Sequence, residues 1–296
     1  MRRTIGSAFP RLGLLGNPSD GYGGRVLAVT FEDFRAEVEL EDGVQGAEEP
    51  LLAAVRKLFL AARAPDGAPP FALRFTSDIP RQVGLAGSSA IAIAALRALA
   101  RRFEARLEPA EIAELALRAE TEELGNAAGP QDRVVQSFGG LVDMDFAQER
   151  YERLDPALLP PLFVAWTHEP GERSGVVHDG VRARFERGDR EVIRVMRELP
   201  RLVERGVGCL HSGDRQGFMQ CMDANFDLRA SIWRLSDADR QLVSIGRDAG
   251  AAVKFAGSGG AVVGALAGED GRERVEAAYR RAGFPILRPR LGKEEA

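Results

Sequence analysis

The spacing of apolar residues predicts alternating strands and amphipathic helices in the first half of the chain. Residues from Arg3 to Leu15 and from Arg25 to Phe31 have the pattern of strands, and Phe71 to Phe75 forms another. Apolar residues recur at helical spacing from Glu48 to Ala62 and from Glu108 to Leu124. The first of these helices is expected to pack on the sheet.

The second half follows a proline-bearing linker, Asp155 to Pro161. We place a domain boundary near residue 158, which divides the chain into residues 1–158 and 159–296. Strands are predicted on both sides of the boundary, at Leu141 to Phe146 and at Leu162 to Trp166. The helical stretches predicted beyond it are Ser174 to Arg187, Arg190 to Glu204 and Asp214 to Arg234.

A glycine-rich stretch, Pro80 to Ala90, leads into an alanine-rich helix. Glycines let the backbone approach a ligand closely, and the free amides at a helix N-terminus favour negative charge. The pattern therefore predicts a phosphate cradle made of Gly84, Leu85, Ala86, Gly87, Ser88 and Ser89. Ser88 or Ser89 could also bind the magnesium ion that accompanies a nucleotide. The alternative is a loop without a ligand that ends in a serine N-cap.

A second loop, Gly16 to Gly24, separates the first two strands. Its polar side chains could bind sugar hydroxyls, namely those of Asn17, Ser19, Asp20 and Tyr22. The alternative is a solvated hairpin turn.

Two acids are candidates for chemistry. Glu120 shares a helix face with apolar residues, where a carboxylate is costly unless it is paired or bound to a metal. The alternative is an acid at the edge of the apolar stripe with its carboxylate in water. Asp132 lies near the start of a short helix, where it could serve only as an N-cap.

Composition limits the possible partners. The chain has 296 residues, 45% of them hydrophobic, which is enough for two domains or one bilobal unit. The formal net charge of −4 gives no general attraction to nucleic acid or an anionic membrane, so an anionic substrate needs local cations. No lysine follows the last glycine of the phosphate loop, so these cations are not those of a Walker loop.

The chain shows no secretory leader and no apolar run of about 20 residues, so we expect a soluble cytoplasmic protein, monomeric or homodimeric. Its two cysteines, Cys209 and Cys221, are expected to be free thiols. Its three histidines are not spaced as in a zinc site.

Three stretches resemble motifs of the GHMP kinases, which phosphorylate galactose, homoserine, mevalonate and related small alcohols. Pro80 to Ala90 is very similar to the second motif, with Ala86 as an insertion. Ala8 to Gly24 resembles the first motif, although its proline is shifted by one residue and Asn17-Pro18 replaces a Glu-His pair. Ala251 to Ala265, a strand, a glycine turn and a strand, resembles the third motif, whereas alone it would suggest a structural hairpin.

The resemblance implies roles for individual residues. Asp132 takes the position of the catalytic base, and Glu120 that of a magnesium ligand, together with Ser89 or Ser88. Arg11 takes the position of the cation near the transferred phosphate. The residues implied in substrate binding are Asn17, Ser19, Asp20, Tyr22, Asn225, Gly257, Ser258 and Gly259.

The resemblance also implies a bilobal α/β fold with the active site between its lobes. The N-terminal domain would contain a left-handed βαβ crossover, against the usual rule, and the C-terminal domain would be a ferredoxin-like α+β unit. The substrates would be ATP, with Mg²⁺, and a small alcohol.

Within the family, four stretches are similar to members that phosphorylate the anomeric hydroxyl of D-glucuronate: residues 13–22, 81–91, 129–136 and 254–260. The acceptor would then carry a carboxylate, and Arg133 and Arg173 are candidates to bind it, because a guanidinium can contact both carboxylate oxygens. Another acceptor, such as galacturonate, a galactose-like sugar, homoserine or mevalonate, stays open. So does a non-catalytic protein that binds a nucleotide or sugar.

Overall fold

The structure is a computed structural model that describes residues 3–43, 48–64, 68–168 and 174–292, with no account of the side chains of residues 174–179. Arg173 lies outside the described residues. The strands are β1 (Arg3–Ala8), β2 (Arg11–Leu15), β3 (Arg25–Thr30), β4 (Ala36–Asp42), β5 (Phe71–Ser77), β6 (Leu141–Asp145), β7 (Arg150–Leu154), β8 (Leu162–Trp166), β9 (Ala252–Phe255), β10 (Ala261–Ala265) and β11 (Ile286–Leu287). The helices are α1 (Pro50–Arg63), α2 (Gly87–Arg102), α3 (Pro109–Arg118), α4 (Gln131–Phe138), α5 (Ser174–Glu186), α6 (Arg190–Ser212), α7 (Arg215–Ile232), α8 (Asp237–Asp248) and α9 (Arg272–Arg281).

The strands form three antiparallel sheets. Their strand orders are β1-β4-β5, β2-β3-β6-β7 and β11-β8-β10-β9. The single strand predicted from Arg3 to Leu15 is therefore two strands in two sheets. The break falls at Phe9-Pro10, where proline has no N–H to donate to a ladder. The carbonyl of Pro10 instead accepts a bond from the Phe31 amide.

Helix α2 is the central element of the N-terminal half. Nine of its residues are buried, most of them alanines, so its backbone packs closely on β1. A Cβ at Gly6 of β1 would overlap the carbonyl oxygen of Ala94. Because this helix is fixed in the core, the glycine-rich loop that precedes it has a rigid support.

Helix α3 ends earlier than the apolar spacing predicts. A π-helical turn, Ala119–Glu123, follows it directly and contains Glu120. The extra residue in such a turn changes which side chains face the core, and Glu120 is buried there. Periodicity alone predicts one regular helix through Leu124.

The C-terminal half has its own sheet and a second apolar core. Phe163, Val253, Phe255 and Tyr279 are buried together beneath α8 and α9. The strand predicted at Leu162 to Trp166 is confirmed as β8. The boundary predicted near residue 158 falls between β7 and β8, which belong to different sheets, and it stays a prediction. Among the described residues, no helix is both long enough and apolar enough to cross a membrane.

Candidate functional site

Two glycine-rich turns meet next to Arg11. Gly84 has a φ of +75°, and a Cβ there would lie 2.7 Å from the carbonyl oxygen of Gly259. A Cβ at Gly257 would overlap the carbonyl oxygen of Gly84 and lie 2.9 Å from the terminal nitrogens of Arg11. Glycine is therefore required on both sides of this contact. The structure thus packs the turn Gly257–Gly259 against the predicted phosphate loop.

Arg11 connects the glycine turns to Asp132. Its Nε donates to Asp132 Oδ1 at 2.6 Å and its Nη2 to Oδ2 at 2.9 Å, a bidentate pair. Its Nη1 donates to the carbonyls of Gly84, at 2.7 Å, and Ala256, at 3.2 Å. The Arg11 side chain is 4% exposed and that of Asp132 is 20% exposed. Asp132 is thus held in one orientation with an edge open to a ligand.

Asp132 does not cap its helix. Pro130 is the N-cap of α4, and its own side chain accepts no capping bond. Asp132 is the second residue of the helix, and its carboxylate bonds to Arg11 instead. The capping alternative is therefore wrong.

The loop from Gly16 to Gly24 is largely buried and not a solvated turn. Asn17 and Ser19 are 2% and 0% exposed, and Asp20 is 8% exposed. Asp20 Oδ2 accepts a bond from the backbone N–H of Gln131 at 3.3 Å. This contact brings the loop to the start of α4, next to Asp132.

Asp20 has an unusual proton affinity. Its pKa is raised from 3.8 to about 6, first by burial and then by the charge of Asp132, although backbone hydrogen bonds and the charge of Arg11 act in the opposite direction. A Cβ at Gly129 would overlap Asp20 Oδ2, so the chain before α4 closes over the carboxyl group.

A buried lysine contacts the loop from Gly16 to Gly24 and the strand before it. Lys254 is 1% exposed, and its Nζ donates to Gly13 O at 2.6 Å, Phe255 O at 2.7 Å and Asn17 Oδ1 at 2.8 Å. Asn225, also buried, accepts from the amide of Gly16 at 2.6 Å. Burial and the nearby charges of Arg229 and Arg11 lower the pKa of Lys254. Asn17 and Asn225 thus bond to protein groups. Lys254 was not predicted from the sequence as a site residue.

Ser19 and Tyr22 also contact protein groups. The Ser19 hydroxyl donates to the carbonyl of Arg25 at 3.3 Å. The Tyr22 ring lies 4.6 Å from that of Phe185, and the Arg182 guanidinium lies 5.3 Å from its centroid. Tyr22 therefore joins the loop to α5.

The two serines of the phosphate loop have different environments. Ser88 is exposed, whereas Ser89 is 1% exposed and donates to Gln136 Oε1 at 2.6 Å. The N-cap of α2 is Ala86, in a left-handed conformation, and no described side chain caps the helix. The serine-cap alternative is therefore wrong, and Ser88 is the serine whose hydroxyl faces outward.

Glu120 is paired with Arg133. Both side chains are almost fully buried, and Arg133 Nη2 donates to Glu120 Oε2. Arg133 Nη1 donates to Gly129 O at 2.8 Å. Burial, with the charge of Arg11, lowers the pKa of Arg133 to about 10. The alternative that Glu120 lies in water is wrong.

Arg229 is a second cation that the sequence analysis did not identify. It is 3% exposed and donates to Gly257 O at 2.6 Å and Ser258 O at 3.2 Å. Its guanidinium lies 4.4 Å from the ring centroid of Trp233. Burial lowers its pKa to about 10. The sequence does contain a signal, because Arg229 follows Phe218, Met222 and Asn225 at helical spacing on one buried face, the pattern that pointed to Glu120.

Four buried cations, Arg11, Arg133, Arg229 and Lys254, thus surround the site. They lie close enough for their charges to shift one another's pKa values. Arg11 and Arg133 are paired with Asp132 and Glu120. The hydrogen-bond partners of Arg229 and Lys254 among the described residues are uncharged oxygens, so positive charge there favours an anionic ligand.

The available ligands suit magnesium bound with a nucleotide. Among the described residues, no group of three or more His, Cys, Asp or Glu side chains could hold a metal by itself. Magnesium commonly uses one or two protein oxygens together with substrate phosphates. Ser88 and Glu120 supply oxygens of this kind, although Glu120 would have to share its carboxylate with Arg133.

Comparisons with known proteins identify relatives of this chain. Residues 51–140 match the family model of the GHMP kinases N terminal domain. Glucuronokinase 1 of Arabidopsis thaliana is 35% identical over 94% of this chain and 90% of that protein, and probable glucuronokinase 2 of the same plant is 37% identical over 86% and 82%. A galactokinase of Lactococcus lactis, solved with galactose, superposes with a TM-score of 0.85 at 14% identity, over 100% of this chain and 95% of that one. The structural similarity confirms the predicted fold class.

Proposed function

We propose a function for this chain from the premise that it belongs to the GHMP kinase family, as its relatives over most of its length establish. It is an ATP-dependent sugar kinase, and its acceptor is D-glucuronate, phosphorylated at the anomeric hydroxyl to give glucuronate 1-phosphate. The observation that carries the proposal is the Arg11–Asp132 pair beside a glycine-rich loop, in a chain this similar to glucuronokinases.

Asp132 acts as the general base. It accepts the proton of the attacking hydroxyl while Arg11 keeps both of its carboxylate oxygens oriented. The new bond joins the sugar oxygen to the terminal phosphorus of ATP, and the bond from that phosphorus to the bridging oxygen breaks, leaving ADP. In such transfers positioning and electrostatic stabilisation supply most of the catalysis.

The phosphates are bound by the loop Gly84–Ser89 and by the first amides of α2. Because no described side chain caps this helix, those amides and the helix dipole are available to an anion. Arg11 contributes positive charge near the transferred group. Magnesium, held by Ser88 and Glu120, would neutralise phosphate charge when bound.

The acceptor is bound on the side of the loop Gly16–Gly24. Asp20 links this loop to the residue before the proposed base, because its Oδ2 accepts a hydrogen bond from the Gln131 amide. Arg133 is the described candidate for the uronate carboxylate, because its Nε is buried without a hydrogen-bond partner among the described residues. Arg173 stays a second candidate outside those residues.

An ATP-consumption screen tests the proposal. Purified protein is given MgATP with glucuronate, galacturonate, glucose, galactose, homoserine or mevalonate in parallel. We expect glucuronate to give the highest kcat/KM. Equal or better turnover of a neutral sugar would exclude the uronate and leave the sugar kinase, and activity with none of them would favour the non-catalytic alternative.

A further inference from the structure

Gln131, the first residue of α4, connects the two acids of the site. Its backbone N–H donates to Asp20 Oδ2 at 3.3 Å, and its Nε2 donates to Asp132 Oδ1 at 3.0 Å. An ionised carboxylate only accepts hydrogen bonds, so the NH₂ group of the amide must face Asp132. This fixes the position of Oε1 on the other side of the amide.

Gln131 Oε1 is an unsatisfied acceptor. The side chain is 6% exposed, and Oε1 has no hydrogen-bond partner among the described residues. An orphaned buried acceptor costs about 1–3 kcal/mol. Native proteins keep few of these, and a binding role is one explanation when the atom belongs to a site.

We propose that Gln131 Oε1 accepts a hydrogen bond from a hydroxyl of the acceptor, on the carbon next to the hydroxyl that Asp132 deprotonates. This inference rests on the proposed function, because it takes Asp132 as the base. One amide group both contacts Asp132 and carries the unpaired acceptor, so a substrate that bonds to both Asp132 and Oε1 carries two neighbouring hydroxyls. Gln131 is therefore a specificity-determining residue for a vicinal diol.

The candidate acceptors differ in whether they carry two hydroxyls on neighbouring carbons. In a sugar phosphorylated at C1, the neighbouring group is the C2 hydroxyl. Mevalonate carries its hydroxyls on carbons that are not adjacent, and homoserine has only one, so neither satisfies Gln131. A site with a buried polar group discriminates strongly against an analogue that leaves the group unpaired.

The test compares D-glucuronate with 2-deoxy-D-glucuronate on the wild type and on Gln131→Met, which has a side chain of similar length without the amide. We expect the wild type to favour glucuronate in kcat/KM by about 10- to 100-fold. In Gln131→Met this preference should fall to about twofold or less. A ratio of two substrates on the same preparation is independent of the fraction of folded enzyme.

Gln136→Met is the matched control. Gln136 is a buried glutamine of the same helix, but both ends of its amide bond to protein groups, Ser89, Phe9 and Ala86. Its loss should lower turnover of both sugars together and leave their ratio at the wild-type value. If Gln131→Met does not fold, Gln131→Asn, which withdraws the amide, should lose the preference instead.

Two results would overturn the inference: equal use of the two sugars by the wild type, or an unchanged preference in the Gln131 variants. Calorimetric titration of both sugars into ATP-free protein gives a second readout, and the same collapse in their affinity ratio is expected. If glucuronate is not a substrate but another sugar is, only the uronate proposal fails, and the comparison is made with that sugar and its 2-deoxy form. Activity with mevalonate or homoserine alone overturns both proposals.

Discussion

At the scale of residues, the site depends on two carboxyl groups in different surroundings. Asp132 receives two hydrogen bonds from Arg11 and one from Gln131, and a fifth of its side chain is exposed. Asp20 is more deeply buried, and its carboxylate accepts a backbone hydrogen bond from Gln131 at 3.3 Å. The same residue type therefore suits two roles, a base at Asp132 and a hydroxyl ligand at Asp20.

Replacing Asp132 by asparagine tests the base. The amide cannot accept the proton of the attacking hydroxyl, so kcat should fall by about 10²-fold or more. Nucleotide affinity, measured by equilibrium binding, should stay within a few-fold of wild type because the glycine loop is unchanged. A variant with more than a tenth of wild-type turnover would remove Asp132 from this role.

Asp20 should make folding stability depend on pH. Its pKa of about 6 in the folded state lies above the ordinary aspartate pKa of 3.8, so between these values the folded protein binds more protons than the unfolded chain. The free energy of unfolding should therefore decrease as pH rises from about 4 through 6, by up to about 3 kcal/mol.

Urea unfolding of wild type and Asp20→Asn at several pH values measures this contribution. The neutral amide cannot titrate, so the wild type should lose stability relative to the variant as pH rises through the window. A constant difference in unfolding free energy across the window would contradict the raised pKa.

At the scale of elements, the contact between the two glycine turns fixes the phosphate loop. Gly84→Ala should lower kcat/KM for ATP by about 10- to 100-fold, because the added methyl group meets Gly259 and displaces the loop. Gly43→Ala is the control, since Gly43 has a φ of +77° and no atom within 4 Å of an added Cβ. Equal effects of the two substitutions on ATP kinetics would show that backbone strain, not the contact, is responsible.

Much of this element structure follows from local sequence. Alternation and glycine placement predict β8, the β9–β10 turn and the loop before α2. Strand β4 was not predicted, although Ala36, Val38 and Leu40 alternate with glutamates there. The elements β7, α8, α9 and β11 were also not predicted. Nor was the π turn, because regular helical periodicity does not show where an extra residue enters.

Local sequence patterns do not predict which residues contact each other inside the site. Arg11 and Asp132 are 121 residues apart, and Lys254 reaches Gly13 over 241 residues. Periodicity shows that a polar residue is buried, as with Glu120, but not which distant group satisfies it. The resemblance to a family supplied Asp132 and Arg11. Gln131 and Lys254 required the fold, and for Arg229 helical spacing indicates burial but not its bonds to the glycine turn.

At the scale of the whole molecule, the net charge of the chain is negative, whereas the cations of the site are buried inside it. The chain has a net charge of −4, so its overall field does not attract an anionic sugar or nucleotide. The cations of the site are buried, where dissolved salt screens them weakly. Binding of the uronate should therefore rely on contact and not on electrostatic steering.

This distribution predicts a weak dependence on salt. With MgATP saturating, raising the ionic strength from about 20 to 200 mM should change kcat/KM for glucuronate by about threefold or less, because screening acts mainly on exposed charges. Potassium acetate in place of chloride controls for chloride binding at the cationic site. A tenfold or greater fall in both salts would show that exposed cations steer the substrate, and the buried cluster would then not be its main source of attraction.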